Sequence, residues 1–141
     1  MTDLRQATGL LRIETPGRAM VEVSRDVAQW VAAQGMTEGL LTLLCRHTSA
    51  SLVIQENAAP AVKRDLLDWL ERMAPEDASY FHDDEGPDDM PAHIRAMLTG
   101  VTLSVPLIGG RLALGTWQGI YLVEHRRAPH SRQIALHLLG A

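Results

Sequence analysis

The sequence is short of several features whose abundance would identify a class of protein. It has a single cysteine, so no disulfide can form within the chain, and we expect a reducing, cytoplasmic setting. No apolar run approaches the roughly 18 residues of a membrane span, and the N-terminus lacks the basic and apolar regions of a signal peptide. The net charge of −4 offers no positive surface for nucleic acid. We therefore expect neither membrane nor nucleic-acid partners.

Aromatic residues make up only 4% of the chain, but the hydrophobic content of 46% is that of an ordinary globular domain. A length of 141 residues suits one domain spanning 1–141. Strand and helix patterns are mixed, which predicts an α+β fold: one compact domain with largely antiparallel sheets in a sandwich-like body and helices packed on one side. The predicted strands are 8–14, 19–23, 39–45, 52–54, 101–105, 111–114, 118–124 and 132–139, and the predicted helices are 24–34, 60–73 and 89–98.

Some local expectations are specific enough to compare with a structure. Ser24 is predicted to cap the first helix, and Asp88 or Asp89 to cap the third. The short segment 39–45 is almost entirely apolar, which predicts a strand buried on both faces. Cys45 lies within it and is expected to be a buried hydrophobic residue rather than a nucleophile.

The most unusual stretch is the acidic segment at 80–94. It contains five acidic residues, two histidines, one glycine and two prolines. Gly86, Pro87 and Pro91 exclude a continuous strand or helix, and the acidic side chains repel one another unless a positive group lies among them. Two outcomes are open: a solvated loop, or a fold that gathers imidazole and carboxylate groups around a cation or a polar substrate.

A second candidate site follows the apolar strand, where the chain turns polar at His47, Thr48, Ser49 and Ser51. A rigid strand commonly presents functional side chains at its end. In an extended segment, His47 and Ser49 would share one face and Thr48 the other. Hydroxyl and backbone N–H groups in such a bend can hold phosphate oxygens. Taken alone, the cluster is more typical of a polar loop with a surface histidine.

His93 follows Asp89 by four residues, so both side chains lie on the same face of a helix. A carboxylate in that position can orient the imidazole, as the outer partners of metal ligands do. Together with His47 and His82, the pattern fits a divalent metal site with nitrogen and oxygen ligands and open positions. It fits a metal-free acid–base site equally well.

Two later segments are also candidates. Two glycines surround Trp117 and Gln118, which predicts a tight bend where the backbone approaches another group closely. Gln118 is a candidate for hydrogen-bonding a substrate and Trp117 for stacking or for an interface, although a turn with a core tryptophan is the commoner case. Glu124 is a candidate acid–base or ligand group. The arginines after it, which are anion-binding candidates, are Arg126, Arg127 and Arg132.

Four motifs, in order along the chain, resemble those of the YjbQ-type family, also called secondary thiamine-phosphate synthases. They are HTSASL at 47–52 with EN at 56–57, YxHDxEGxDDMPxHI at 80–94, LGTWQGI at 114–120 and EHR at 124–126. The resemblance covers nearly the whole chain. It implies a compact α+β fold, a homotrimer, and a polar histidine pocket near subunit boundaries that often holds a metal.

The activity that this resemblance implies is a weak thiamine-phosphate synthase reaction. It couples a pyrimidine pyrophosphate to a thiazole phosphate with loss of pyrophosphate. One departure is Ala59, where similar members often carry aspartate. If that aspartate helps to bind metal or phosphate in relatives, we expect weaker binding in this chain.

Together, the residues and the resemblance predict one site that acts on a phosphorylated small molecule. The expected ligands of a divalent metal, zinc or magnesium, are His47, His82 and His93. Two alternatives are a metal-dependent hydrolase of a phosphate or ester, and a non-catalytic protein that binds a metabolite or metal. The candidate catalytic and substrate-binding residues are His47, Thr48, Ser49, Asn57, Asp83, Asp88, Asp89, Gln118 and Glu124.

Overall fold

The computed structural model describes residues 3–141. None of the helices within that range is long and apolar enough to cross a bilayer. The elements in chain order are β1 (Arg5–Thr15), β2 (Ala19–Glu22), α1 (Ser24–Ala33), β3 (Gly39–Cys45), β4 (Ala50–Glu56), α2 (Pro60–Met73), α3 (Asp89–Thr99), β5 (Thr102–Ile108), β6 (Arg111–Leu112), β7 (Gln118–Glu124) and β8 (His130–Gly140).

The strands form two antiparallel sheets. The larger sheet has the order β1-β8-β3-β5-β6 and the smaller one the order β2-β7-β4. Ile120 and Leu122 of β7 face a main core that both sheets and α1 share, whereas Tyr121 and Val123 point to the other face, where α2 packs. Helix α3 lies against β4. The predicted α+β fold with largely antiparallel sheets is confirmed.

Strand β3 is buried on one face only, which corrects the prediction of burial on both. Leu41, Leu43 and Cys45 point into the main core, and burial raises the pKa of the Cys45 thiol to about 11. The alternate residues point outward, where the larger sheet leaves a row of leucines in contact with solvent. Their exposed fractions are 58% for Leu10, 46% for Leu40, 40% for Leu44 and 42% for Leu139.

The predicted helix caps are also wrong. Ser24 Oγ donates to the Glu22 carboxylate (2.8 Å) and accepts from the Ile120 N–H (2.8 Å), so this side chain ties the start of α1 to β7. Helix α3 begins without a side-chain cap because the carboxylates of Asp88 and Asp89 are bound by partners from outside the helix. Both departures occur where tertiary hydrogen bonds replace local ones.

Candidate functional site

Half of the acidic segment is gathered around one guanidinium group. Arg126, two residues beyond β7, donates from Nε to Asp88 (3.0 Å), from Nη1 to Asp89 Oδ1 (2.7 Å) and from Nη2 to the Glu85 carbonyl (3.1 Å). The hydrogen bond with Asp88 raises the pKa of Arg126. The side chains of residues 83–85 remain exposed. The segment therefore has a solvated part and a part that is organised by the positive charge of Arg126.

Asp89 brings two imidazole rings together at the start of α3. Its Oδ2 atom lies 2.7 Å from His82 Nε2 and 3.0 Å from His93 Nε2, and the two ring centroids are 5.6 Å apart. Asp89 itself is only 4% exposed. Each of the three residues offers one ligand atom, and these atoms all lie within 4.8 Å of one another. We call His82, Asp89 and His93 the His–Asp–His cluster.

The charges in this cluster stabilise one another. Burial alone would oppose ionisation of Asp89, but its hydrogen bond with His82 and the charges of His93 and Arg126 outweigh that cost and lower its pKa. The hydrogen bond to Asp89 in turn raises the pKa of His82. The carboxylate is therefore ionised at neutral pH and available to hold a positive partner.

The hydrogen bonds of His93 define which of its nitrogens carries a proton. Nδ1 lies 2.9 Å from the Thr48 carbonyl oxygen, which can only accept, so Nδ1 must donate. A neutral His93 then presents the lone pair of Nε2 to Asp89 Oδ2 at 3.0 Å, where two electron-rich atoms face each other. This contact is favourable only with a second proton on the ring or with a cation between the two atoms.

His47 lies outside the His–Asp–His cluster, contrary to its expected role as a third metal ligand. Its Nε2 atom accepts a hydrogen bond from the Gln133 backbone N–H (2.8 Å), so that lone pair is occupied within the chain. Burial, followed by the charge of Arg132, lowers the pKa of His47. A neutral ring that accepts at Nε2 carries its proton on Nδ1, which makes His47 a hydrogen-bond donor rather than a ligand.

Two pockets lie on either side of the cluster. The first has a volume of about 400 Å³, and the second, of about 310 Å³, is more polar. His93 lines the first and His82 the second, so the cluster separates an apolar cavity from an acidic one. The first pocket is lined by His47, Thr48, His93, Ala96, Met97, Gly100 and Val101, and the second by Glu76, Ala78, Ser79, Tyr80, His82, Asp83, Gly86 and Pro87.

Glu124 and Ser49 are placed behind the pockets rather than in them. Glu124 is fully buried, and both of its carboxylate oxygens accept hydrogen bonds from Arg132. Arg132 Nη2 also donates to Ser49 Oγ (3.0 Å). Burial opposes the charge of Glu124, but the hydrogen bonds from Arg132 and Thr15 prevail and lower its pKa. Within one chain, Glu124 therefore has no access to a substrate.

Asn57 and Gln118 lie at the opposite end of the smaller sheet. Ala50 pairs with Glu124 at one end of the β4–β7 ladder and Glu56 pairs with Gln118 at the other, a separation of about 20 Å at the usual rise of a strand. Gln118 Oε1 accepts from the Gly115 N–H (2.7 Å). A single chain thus does not bring these two residues to the His–Asp–His cluster.

The backbone at Gly119 closely approaches other residues, as predicted for the bend around Trp117 and Gln118, and the Trp117 side chain is exposed. A Cβ on Gly119 would lie 2.8 Å from the Glu22 carboxylate and 3.1 Å from Asn57, so only glycine fits there without a shift. Trp117 is 64% exposed, which is contrary to the reading of a core tryptophan. Its ring is free to contact another molecule.

Two buried polar residues that support the site were not singled out from the sequence. Arg95 is 1% exposed and donates to the carbonyls of Leu70 (3.3 Å) and Ala74 (2.8 Å), which joins α3 to the end of α2. His125 Nε2 lies 2.8 Å from Ser51 Oγ, and burial lowers the pKa of His125 to about 3. The only sequence signal for Arg95 is its position on the same helical face as small apolar residues.

The donor set of the cluster fits a divalent cation. Two imidazole nitrogens and one carboxylate oxygen are ligands that zinc accepts, and a site with three protein ligands leaves positions for water or substrate. The outer partners fit as well, because His93 donates its other ring proton to a backbone carbonyl and Asp89 accepts from Arg126.

Comparisons with known proteins agree with the motifs. The family model described as UPF0047 protein YjbQ-like matches residues 10–141. A UPF0047 protein of Synechocystis is 46% identical over 137 residues, which cover 96% of this chain and 93% of that protein. The YugU protein of Bacillus subtilis is 34% identical over 131 residues, 92% of this chain and 97% of its own length.

Solved structures show the same fold. A YjbQ/UPF0047 family protein from Clostridium acetobutylicum superposes with a TM-score of 0.85 at 32% identity, covering 92% of this chain and 98% of its own. A protein from Aeropyrum pernix K1 gives a TM-score of 0.87 at 29% identity, covering 96% and 99%. The family match over most of the sequence and the shared fold lead to one conclusion: the chain belongs to the YjbQ-like UPF0047 family.

Proposed function

We propose that the chain is a divalent-cation-dependent transferase that joins a pyrimidine pyrophosphate to a thiazole phosphate, with the His–Asp–His cluster holding the cation. The hydrogen bonding of His93 is the observation that carries the proposal. Its Nδ1 donates to the Thr48 carbonyl, so a neutral His93 points the electron pair of Nε2 at the Asp89 carboxylate. A cation resolves that contact and uses both atoms as ligands.

Zinc fits the proposed site better than magnesium. Imidazole nitrogen is a common ligand of zinc, whereas magnesium prefers oxygen ligands and keeps several of its waters. Two of the three candidate ligand atoms are imidazole nitrogens, from His82 and His93. A bound divalent cation would stabilise the negative charge that develops on departing pyrophosphate.

The residues around the cluster have separate roles in this proposal. His47 donates from Nδ1 to a phosphate oxygen, and Thr48 lines the same pocket, whose apolar wall includes Met97 and Val101 and suits a ring. Asp83, on the other side of the cluster, favours a substrate carbon that develops positive charge. Asp88 acts indirectly, because it holds Arg126 against Asp89.

The ligand assignment is tested by replacing each histidine. We expect His82→Ala and His93→Ala each to lose bound zinc, because two protein ligands are too few for a stable site. Metal content is measured by elemental analysis after equilibration with zinc and gel filtration. The matched control is His137→Ala, a histidine on β8 whose Nε2 lies 2.9 Å from Gln6 Oε1. Unchanged zinc in both site variants would contradict the assignment.

A second candidate is a metal-dependent hydrolase of a phosphate or ester. The cluster favours it because three protein ligands with open positions are the usual arrangement for activating water. The transferase and the hydrolase are distinguished by incubating the zinc-loaded protein with a pyrimidine pyrophosphate, with and without a thiazole phosphate. A transferase releases pyrophosphate only when both are present, whereas a hydrolase releases its product without the second substrate. Tight binding with neither product would indicate a non-catalytic binding protein.

A homotrimer is part of the same proposal. The outer face of the larger sheet carries four exposed leucines, an apolar surface that favours contact with another copy. A neighbouring copy would also explain why Asn57 and Gln118 lie about 20 Å along the ladder from the cluster: they would complete the site of the adjacent subunit.

The assembly is tested by light scattering at micromolar concentration. We expect a trimer for the unaltered protein and a monomer for Leu44→Glu, which places a charge on the face that carries the exposed leucines. Arg64→Glu, an exposed position on α2, is the control and should remain trimeric. A monomeric unaltered protein would refute the proposal of a homotrimer.

A further inference from the structure

Hydrogen bonds from strand β8 hold the connection between β3 and β4 in place. This connection carries His47 and Thr48. The Arg46 backbone N–H donates to the Gln133 carbonyl (3.1 Å), and the Gln133 N–H donates to His47 Nε2 (2.8 Å). Arg132 Nη2 reaches both the carbonyl oxygen (3.3 Å) and the hydroxyl (3.0 Å) of Ser49. Two adjacent residues of β8 therefore bind Arg46, His47 and Ser49 of this connection.

Arg132 is itself held in place by an ion pair with Glu124. The pair is buried, with Arg132 5% exposed and Glu124 not exposed at all, and Arg132 Nε donates to Glu124 Oε1 at 2.7 Å. Glu124 also accepts from the Thr15 hydroxyl (2.7 Å) and the Arg126 N–H (3.1 Å). Arg132 Nε and Nη2 and both carboxylate oxygens of Glu124 take part in hydrogen bonds, which makes the ion pair a rigid support for Ser49.

Hydrogen bonds made by this connection define the tautomers of the two histidines that line the apolar pocket, His47 and His93. Because Nε2 of His47 is occupied by a backbone donor, a neutral His47 must carry its proton on Nδ1. Because the Thr48 carbonyl accepts from His93 Nδ1, a neutral His93 must leave Nε2 free as a lone pair. Both rings are thus in the same tautomer, but one offers a donor to a ligand and the other a coordinating atom to a cation.

We propose that the Glu124–Arg132 ion pair is a positioning unit that sets the tautomers of His47 and His93 through the Arg46–Ser49 connection. Neither residue of the pair touches substrate or cation. The effect on cation affinity rests on the proposed function, whereas the tautomers themselves do not. This assigns to Glu124 and Ser49 a task other than contact with substrate.

The tautomers are measured directly on the unaltered, metal-free protein by nitrogen-15 NMR of the imidazole rings at about pH 8, where ordinary histidines are neutral. We expect the proton on Nδ1 in both His47 and His93, whereas free imidazole side chains favour Nε2. A lone pair on Nδ1 of either ring would overturn the inference, whereas a second proton on His93 Nε2, beside the Asp89 carboxylate, would not. This experiment needs neither a variant nor bound metal.

Arg132→Lys tests the connection to the ion pair. Lysine keeps a positive charge against Glu124 but cannot also reach both oxygens of Ser49. We expect a folded protein whose His93 signal shows mixed tautomers and whose zinc Kd rises about ten- to hundredfold, as for loss of other outer partners of metal ligands. Arg18→Lys, in the ion pair with Glu71 on α2, is the control with unchanged Kd.

The outcomes separate this inference from the proposed function. A folded Arg132→Lys protein with the zinc Kd and the His93 tautomer of the unaltered protein would overturn the inference. If the unaltered protein bound no zinc, the proposed function would fail. The tautomers measured by NMR would then be the test of whether the Glu124–Arg132 ion pair positions the two histidines. If Arg132→Lys did not fold, Ser49→Ala, which removes only the hydroxyl acceptor, would be measured in the same two ways.

Discussion

Asp89→Asn is expected to reduce zinc affinity by more than the roughly 100-fold that marks the upper range for loss of an outer partner. The substitution keeps the shape of the side chain but removes the charge that lies 2.7 Å from His82 Nε2 and 3.0 Å from His93 Nε2. It also replaces an oxygen shared by both rings with an amide that is a poor ligand. Isothermal titration with zinc measures the effect.

The control for this variant is Asp77→Asn, which removes the same charge from an exposed position on the loop that precedes α3. It should bind zinc as the unaltered protein does. Equal zinc affinity in Asp89→Asn and Asp77→Asn would mean that Asp89 is not a ligand, and the cluster would then not be a coordination site.

The same variant should alter how the metal-free protein responds to pH. The pKa of Asp89 is lowered by folding, so its contribution to stability is present above the unfolded value of about 3.9 and is lost as pH falls through the folded one. The pKa of His82 is raised, mainly by Asp89, so its contribution is present at low pH and is lost as pH rises through the folded value. In Asp89→Asn, an NMR titration should find the His82 pKa closer to its ordinary value.

Glu124→Gln is expected to be the most destabilising of these substitutions. It leaves the Arg132 guanidinium buried without its counter-charge, a change that typically costs about 3–5 kcal/mol out of a total stability of roughly 5–15 kcal/mol. The hydrogen bond from Thr15 would persist only in weakened form. Urea unfolding followed by circular dichroism at neutral pH measures the loss in unfolding free energy.

A double variant distinguishes the two causes of this loss. Glu124→Leu combined with Arg132→Met removes both charges and should recover much of the stability, because an apolar pair of similar volume often replaces a buried ion pair at little cost. If the double variant were as unstable as Glu124→Gln, specific hydrogen bonds rather than the unpaired charge would be the cause.

The pH dependence gives an independent check on the ion pair. Folding lowers the pKa of Glu124, so its contribution is complete above the unfolded value of about 4.3 and disappears as pH falls through the folded value. The unaltered protein should therefore lose stability in acid more steeply than Glu124→Gln. Parallel stability curves for the two proteins would contradict the assigned pKa shift.

The elements of the fold were accessible from the sequence because their signals are local. Apolar patterns predicted most of the strands, and the i, i+4 spacing of Asp89 and His93 placed both on one face of α3. The ends of the elements were less accessible. The Ser24 hydroxyl could cap α1, but it is hydrogen-bonded instead to the Glu22 side chain, which precedes the helix, and to the Ile120 N–H, which is remote in sequence.

The site was only partly predictable, because proximity in space depends on sheet register. The pairing of Ala50 with Glu124 brings the Arg126 side chain towards the acidic segment, and the same ladder carries Gln118 to the far end of the sheet. No pattern along the chain contains that information. His47 illustrates a second limit: its residue type suits a metal ligand, but a backbone N–H from β8 occupies the atom that would bind.

The candidate ligands come from segments of different kinds. Asp89 and His93 are one turn apart on α3, whose position is fixed by Arg95 and by the Thr99 hydroxyl at Ser51 Oγ (2.6 Å), whereas His82 belongs to the coil that precedes the helix. Two of the three candidate ligands thus belong to a helix that tertiary hydrogen bonds hold in place, and the third belongs to coil. If the proposed cation is bound, a change in the coil alone would remove one ligand and leave the other two one helical turn apart.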